Sequence, residues 1–406
     1  MAERRTGNFI QTFVDTYKDG YVPTKFYLWG AISTVAAALE RKVWIPFGKN
    51  NIYPHLFITL VSAPGIGKSS AMRPGRKLLQ QLETHYGKKI RFLPNKLTEP
   101  KMLDIMNAHE FFTYNNTHYQ HTSLYFVASE GATATKDLYG GFVDTMTALY
   151  DGDDLTKATV SRSREIKIVN PCLNFIGGYT FSSLNDLLTT EGIMGGFASR
   201  VIYIVHKDKI KRVSKWQGDT RGQLDEQING DLLYDLNAIN DMVGPFTADT
   251  EYAEAYDKWF TEHDLKTQEI ENEKLRALMV RKPDLVKKLS MILSASRTSD
   301  RLLEINDWNH ALGLIEANEK ELPGMIRKGQ AMQTGTQSGI NAAILDHMDK
   351  NTTGVVLKRD IVSTLSAKGF KGDDVHRTLH NLLSGESFLA EINGSLVLTD
   401  TPDFYL

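Results

Sequence analysis

The sequence predicts an α/β core, and three stretches of its 406 residues carry that prediction. The first is Leu56–Val61, an apolar, β-branched run that empties into a glycine-containing loop and then into a helical pattern. The second is Ser123–Gly131, whose run from Leu124 to Ala128 is buried in character and leads into Ser129-Glu130. The third is Gly192–Val205, a glycine-rich loop that delivers Ser199-Arg200 directly into an apolar strand.

The loop after the first run comprises Ser62, Ala63, Pro64, Gly65, Ile66, Gly67, Lys68, Ser69 and Ser70. Strand, glycine loop and helix in that order are the layout of a phosphate-binding P-loop, in which helix N-terminal amides face the nucleotide. Gly67-Lys68-Ser69 satisfies the end of the pattern, while Ser62 stands where its first glycine belongs. On this reading Lys68 reaches the β- and γ-phosphates of ATP, Ser69 holds Mg²⁺, and amides from Gly65 to Ser69 cradle the phosphates. The plainer alternative is a chance Gly-Lys-Ser turn after a strand.

Composition narrows the class. Forty-seven Lys and Arg against 49 Asp and Glu leave a formal charge of -2, so any nucleic-acid contact must come from local patches. The one cysteine, Cys172, lies in an apolar run; this excludes an intramolecular disulfide or a cysteine-rich metal site and fits a reducing compartment. No apolar run follows Met1-Ala-Glu-Arg-Arg-Thr, and Tyr27–Leu39 is too short to span a bilayer and contains Ser33 and Thr34. The expectation is a cytoplasmic protein of two or three domains with no membrane partner. His118 and His121 lack a completing ligand set and read as loop residues.

Taken in order, residues 1–50 form a helical N-terminal region, with Phe9, Phe13 and Tyr17 at helical spacing, an alanine-rich helix over Tyr27–Leu39, and a short strand at Lys42–Pro46 leading toward the loop strand. Residues 51–215 form the ATPase core. After the loop, Arg73–Tyr86 is an amphipathic helix with Leu78, Leu79 and Leu82 on one face. At the end of Ser123–Gly131, Glu130 takes the place of the carboxylate that orients an attacking water and assists the metal. Ser129 stands where that layout, a Walker B element, has its metal-holding Asp; an ordinary strand cap is the alternative. Asp151-Gly-Asp-Asp154 is a turn, because Arg162 occupies the position of a calcium loop's closing Glu. Lys157–Val169 then alternates as one or two exposed strands, with Lys157, Arg162, Arg164 and Lys167 among its polar positions. It reads equally as a basic hairpin touching a nucleic-acid backbone and as a solvated edge strand.

Pro171–Thr180 is a further buried strand, whose terminal Thr180 is the candidate γ-phosphate sensor, with Asn174 a weaker one. Arg200 is expensive to bury without an anionic partner. Its functional reading is an arginine finger that reaches the γ-phosphate on a neighbouring subunit; the other is a structural salt bridge. Residues 216–333 form a helical lid with an apolar patch of Tyr256, Trp259 and Phe260, and with Arg281 as either a second sensor or a surface residue. Residues 334–339 are a linker. Residues 340–406 give three helices and a hairpin with an Asn393-Gly394 turn, a winged-helix pattern. Its third helix would place His376 and Arg377 in a major groove, with Lys371 near a phosphate. Asp373 and Asp374 at that helix's start oppose phosphate, so a protein contact is the competing role.

The order Ser-Ala-Pro-Gly-Ile-Gly-Lys-Ser, Phe-Val-Ala-Ser-Glu, Phe-Ile-Gly-Gly-Tyr-Thr, Gly-Phe-Ala-Ser-Arg resembles that of the primase-associated, helicase-like P-loop ATPases of phages and plasmids. It is also similar to AAA+ helicases of the minichromosome-maintenance and superfamily 3 type. The resemblance spans about residues 25–325 and is specific at the loop and at Gly-Phe-Ala-Ser-Arg. It implies an ASCE/AAA+-like core that hydrolyses ATP with Mg²⁺ in a homo-oligomeric, hexameric ring. In such rings a Ser-Arg before a strand supplies the finger, and a basic hairpin before the sensor strand grips single-stranded or forked DNA. A primase or other replication protein is the implied partner, in a bacterial host. The implied function is an ATP-dependent DNA helicase or translocase in replication of a mobile element. The alternative, an ATP-binding initiator or loader acting as a switch, is favoured by the departures at Ser62 and Ser129.

Overall fold

The computed structural model of the chain describes residues 3–18, 22–95, 98–131, 142–159, 164–184, 196–207, 222–271, 273–321, 340–341, 343–344, 347–348, 355–384, 389–392 and 395–398. They belong to two compact units, one made of Met1–Tyr179 with Glu191–Asn318 and the other of Thr180–Thr190 with Glu319–Leu406.

The first unit opens with α1 (Phe9–Tyr17), whose N-cap Asn8 accepts the Gln11 N–H at 3.0 Å. Phe9, Phe13 and Tyr17 recur every four residues and so stack along one face, with ring centroids 6.0 and 4.7 Å apart. Helix α2 (Thr24–Leu39) has no polar side, because every residue from Trp29 to Leu39 is buried. Strand β1 (Val43–Phe47) pairs antiparallel with β2 (Asn50–Ile52) and parallel with β11 (Gly244–Pro245). The Lys42–Pro46 run therefore belongs to a small separate sheet and not to the approach to the loop strand.

The principal sheet holds β3 (Phe57–Ser62), β4 (Phe92–Leu93), β6 (Thr117–Ala128), β9 (Pro171–Tyr179) and β10 (Val201–His206), all parallel, in the order β10-β3-β9-β6-β4. Numbered by their place in the chain, these strands run 5-1-4-3-2 across the sheet. β3 and β9 are buried along their whole length, as expected for strands covered on both faces. On one face Ile58 and Leu60 join α1, α2 and α3 (Lys68–Tyr86) in a single core. On the other, Phe57 packs against Phe175, Phe197 and Tyr150, the last from α5 (Phe142–Asp151). Between β4 and β6 come α4 (Glu99–Met106) and β5 (Glu110–Tyr114), and β5 folds back on β6 as an antiparallel hairpin.

A second hairpin joins β7 (Leu155–Thr159) to β8 (Arg164–Ile168). After β10 come α6 (Gly222–Asn240), β12 (Thr247–Ala248), α7 (Thr250–Gln268), α8 (Glu273–Arg297), β13 (Leu302–Leu303) and α9 (Ile305–Glu319). Leu232, Leu236, Ile239, Val286, Leu289, Ile292 and Trp308 from these helices enter the same core as α1, α2 and the sheet. The N-terminal region and the expected lid, up to Asn318, are thus one unit with the strands they flank. Each large side chain moved fully from water into this core contributes roughly 1.5–3 kcal/mol, so these helices are integral to the fold.

In the second unit, residues 340–348 are helical where described and precede β14 (Val355–Leu357), α10 (Lys358–Ala367), α11 (Gly372–Ser384), β15 (Leu389–Ile392) and β16 (Ser395–Leu398). The strands form an antiparallel sheet ordered β14-β16-β15. Ile344, Met348, Ile361, Leu365, Val375, Leu379 and Leu396 make its core. The expected 334–339 linker and the Asn393-Gly394 turn lie outside the described residues.

Candidate functional site

The site is assembled at the C-terminal edge of the parallel sheet, the edge at which open α/β sheets bind ligands. β3 ends at buried Ser62, and Ala63, Pro64 and Gly65 then emerge into solvent before Lys68 starts α3. Gly65 and Gly67 turn the loop with φ of 78° and 81°, a region that favours glycine. A Cβ at Gly67 would also strike the side chain of Val22. No side chain caps the first turn of α3, so its amides and its positive dipole end face the loop.

Lys68 is folded back onto that loop. Its Nζ donates to the Ser62 carbonyl at 3.1 Å, to Ser62 Oγ at 3.0 Å and to the Ala63 carbonyl at 3.0 Å. Ser62 Oγ in turn donates to the Ala63 carbonyl at 3.1 Å. The residue that departs from the glycine of the pattern therefore supplies one of the acceptors holding Lys68. Burial lowers the Lys68 ammonium to a pKa of about 8.

Ser69 Oγ donates to the Ser129 carbonyl at 3.3 Å, tying the start of α3 to the end of β6. Exposed Glu130 follows Ser129. β9 lies between the two strands, with Leu60 opposite Gly178 and Ala128 opposite Gly177. A Cβ on Gly178 would stand 2.9 Å from the Ser129 carbonyl oxygen and 3.3 Å from Lys68 Cβ, so glycine there permits the close approach of all three strand ends. Ser62–Ser70, Ser129 and Glu130 are thereby gathered at one edge. Ser69 and one carboxylate fit the sparse protein share that Mg²⁺ takes when phosphates supply the remaining oxygens. Among the described residues no group of three or more His, Cys, Asp or Glu could hold a metal by itself.

Two sensor candidates resolve differently. Thr180, which follows β9 in the chain and belongs to the second unit, caps residues 181–184: its N–H donates to Ser183 Oγ at 3.0 Å, and its Oγ1 meets Ser182 Oγ at 3.0 Å. Asn174 is a structural lock and not a sensor. It is buried, its Oδ1 accepts the Leu56 N–H at 3.0 Å, and its Nδ2 donates to the Ala36 carbonyl at 3.2 Å.

Arg200 does not join the loop cluster. In the β10–β3 register Val201 pairs with Phe57 and His206 with Ser62, so Arg200 precedes the strand at the far end of the sheet. Six residues of strand separate the two ends by roughly 20 Å. There Arg200 is buried, with Nε on Asp151 Oδ1 at 3.0 Å, one terminal nitrogen on Asp151 Oδ2, and the other on the Gly196 carbonyl at 2.5 Å. Arg281 of α8 donates to the same Oδ1 at 3.1 Å. The free finger expected from sequence is thus paired within its own chain. Its partner Asp151 was legible only as part of an acidic turn, and Arg281 only as a second sensor or a surface residue. Beside them Lys288, with Nζ 3.9 Å above the Tyr150 ring, is pushed down to a pKa of about 7 by burial.

The nucleic-acid candidates are dispersed. Arg162 lies outside the described residues. Lys157 is opposite Ile166 and Lys167 opposite Thr156, so positions 157 and 167 alternate between the faces of the β7–β8 hairpin; position 164, two before Ile166, shares a face with 157. Lys167 is exposed and its N–H donates to Asn107 Oδ1 at 3.1 Å. On α11, Val375, Thr378 and Leu379 are buried while Lys371, His376 and Arg377 are exposed, with Arg377 paired to Asp374. His118 and His121 are strand residues, not loop residues. His121 is buried against Ser123 Oγ at 2.8 Å, and burial lowers its pKa to about 4. No helix among the described residues is long and apolar enough to cross a membrane.

Compared with known proteins, the chain matches no family model and no curated protein.

Proposed function

We propose that the chain is a P-loop ATPase of the ASCE/AAA+ type that works as a DNA helicase or translocase in an oligomeric, hexameric ring. One observation carries the reading: the parallel β10–β3 register puts Arg200 at the end of the sheet opposite the loop edge that holds Lys68, Ser69 and Glu130. An arginine roughly 20 Å from the phosphate loop of its own chain is out of reach of a γ-phosphate bound there. In a ring, where one subunit's far edge faces the next subunit's loop, it would be within reach.

In this mechanism the α3 amides and Lys68 receive the phosphates, and Lys68 exchanges its three loop acceptors for phosphate oxygens. Ser69 and Glu130 would hold Mg²⁺, which when bound neutralises phosphate charge. Glu130 orients a water toward the γ-phosphorus, and ADP leaves as the terminal bond breaks. Arg200 of an adjacent copy stabilises the charge that develops. The second unit, a helical trio with a hairpin, is read as a winged helix whose Lys371, His376 and Arg377 face DNA or a replication protein such as a primase.

DNA-stimulated ATP hydrolysis tests this, with loss expected for Lys68→Ala and Glu130→Gln. Mixtures of Arg200→Ala and Glu130→Gln subunits should regain activity. A protein that stays monomeric with a non-hydrolysable ATP analogue and single-stranded DNA overturns the ring. Unstimulated binding without turnover would favour the ATP-binding switch, a reading that the in-chain pairing of Arg200 and the serine at 129 support.

A further inference from the structure

Asp151 carries two guanidinium groups on one carboxylate. Its Oδ1 accepts from Arg200 Nε at 3.0 Å and from Arg281 at 3.1 Å, while its Oδ2 accepts, among the described residues, from Arg200. The three side chains differ in access: Arg200 is 8 % exposed, Asp151 29 % and Arg281 30 %. Two guanidinium groups therefore share one carboxylate, and Lys288 Nζ lies 3.9 Å above the ring of the neighbouring Tyr150. Breaking a buried ion pair by removing one partner is costly because the remaining charge is left uncompensated. Here it would not be: if Arg200 withdraws, Asp151 keeps Arg281.

Resting on the reading of Arg200 as a group that serves the phosphate of a second copy, we propose that Asp151 is a latch that holds Arg200 in reserve and that Arg281 is the exchange partner that lets it go. The anion that claims Arg200 is the terminal phosphate bound at the neighbouring loop. A triphosphate offers more negative charge than one carboxylate already shared between two arginines, so exchange runs toward the phosphate when it is present. After hydrolysis and release of the terminal phosphate the attraction falls and Arg200 returns to Asp151. Asp151 and Arg281 touch no reacting atom; both are positioning residues. The α8 helix that carries Arg281 thereby couples its own placement to the availability of the finger.

The two residues should act with opposite signs, which a merely structural pair would not. In the full-length protein at subsaturating subunit concentration, Asp151→Asn releases Arg200 and raises ATP turnover roughly fivefold, whereas Arg281→Ala leaves Asp151 to Arg200 alone and lowers it roughly fivefold. In an Arg200→Ala background both changes should vanish, and Asp151→Asn combined with Arg281→Ala should behave like Asp151→Asn. Turnover that falls with Asp151→Asn, or effects that persist without Arg200, overturns the latch while leaving the arginine in trans intact. Turnover indifferent to Arg200→Ala overturns both, and ATP binding lost on Lys68→Ala then shows that the loop reading survives. Should Asp151→Asn fail to fold, the partly exposed Arg281→Ala, which leaves the Arg200–Asp151 pair in place, decides alone: unchanged or raised turnover refutes the proposal.

Discussion

Replacing Ser62 by alanine should tighten ATP binding, although Ser62 lies in the loop to which the proposal assigns the nucleotide. Before a phosphate can take Lys68, the ammonium must leave acceptors at 3.0, 3.0 and 3.1 Å, of which Ser62 Oγ is one. A hydrogen bond to a charged group contributes about 1.5–3 kcal/mol, and the partly solvated position of Lys68 brings this toward about 1 kcal/mol. Relieving it should lower the ATP dissociation constant about fivefold. Position 62 is fully buried, and alanine removes only the hydroxyl, so the thermal midpoint should hold within a few degrees. Ser62→Gly makes the same relief but adds backbone freedom at the end of β3, roughly 0.5–1 kcal/mol against order, and should gain less. Titration of both variants with ATP at pH 7, where Lys68 is charged, measures the order alanine, glycine, wild type. Binding several-fold weaker in Ser62→Ala, with unchanged melting, would show that the hydroxyl contacts phosphate and does not restrain the lysine.

Other expectations follow from the same edge and its supports. With Lys68 held near pKa 8 in the free protein and raised by a bound phosphate, ATP affinity should fall as pH climbs above about 8, with proton uptake on binding there; calorimetry in buffers of different ionisation enthalpy reads both. Glu130→Gln should keep ATP binding and lose at least about 10²-fold in turnover, measured as phosphate release. Gly178→Ala puts a methyl 2.9 Å from the Ser129 carbonyl, so it should weaken nucleotide binding more than it lowers the melting temperature. Asn174→Ala leaves the Leu56 N–H and the Ala36 carbonyl without their buried partners and should cost roughly 2–4 kcal/mol in chemical denaturation. Its ATP affinity should be unchanged.

What sequence disclosed was local. Leu56–Val61 and Gly67-Lys68-Ser69 announce strand, loop and helix because periodicity and glycine are read within a dozen residues. Strand order was beyond that reach: β4 is two residues long, and the β3–β9 pairing joins Phe57 to Phe175. Asn174 shows how the same limit misassigns chemistry. A polar residue in an apolar run invites a catalytic role, yet its partners at Leu56 and Ala36 lie more than a hundred positions away and make it a lock. The apolar circumference of α2 was a signal that the helix belongs inside a core, and the structure buries every residue from Trp29 to Leu39 there.

Arg200 is the instructive case, because both of its readings describe the same atoms. The salt bridge exists, to an aspartate 49 positions earlier that looked like part of a turn. A purely structural pair would need no second arginine on the same oxygen, and none is required to neutralise a single carboxylate. A finger aimed at its own loop would need to sit at the other end of β10, and the pairing of Val201 with Phe57 forbids that. On the proposed reading both facts fit an arginine stored on a shared carboxylate for a phosphate carried by another copy. The departure at Ser62 has the same character at the opposite edge: there too a cation is parked on acceptors of its own chain. Under the proposed ATPase reading, both groups that phosphate must recruit are held back in the resting chain, and hydrolysis should then depend steeply on assembly and on nucleotide together.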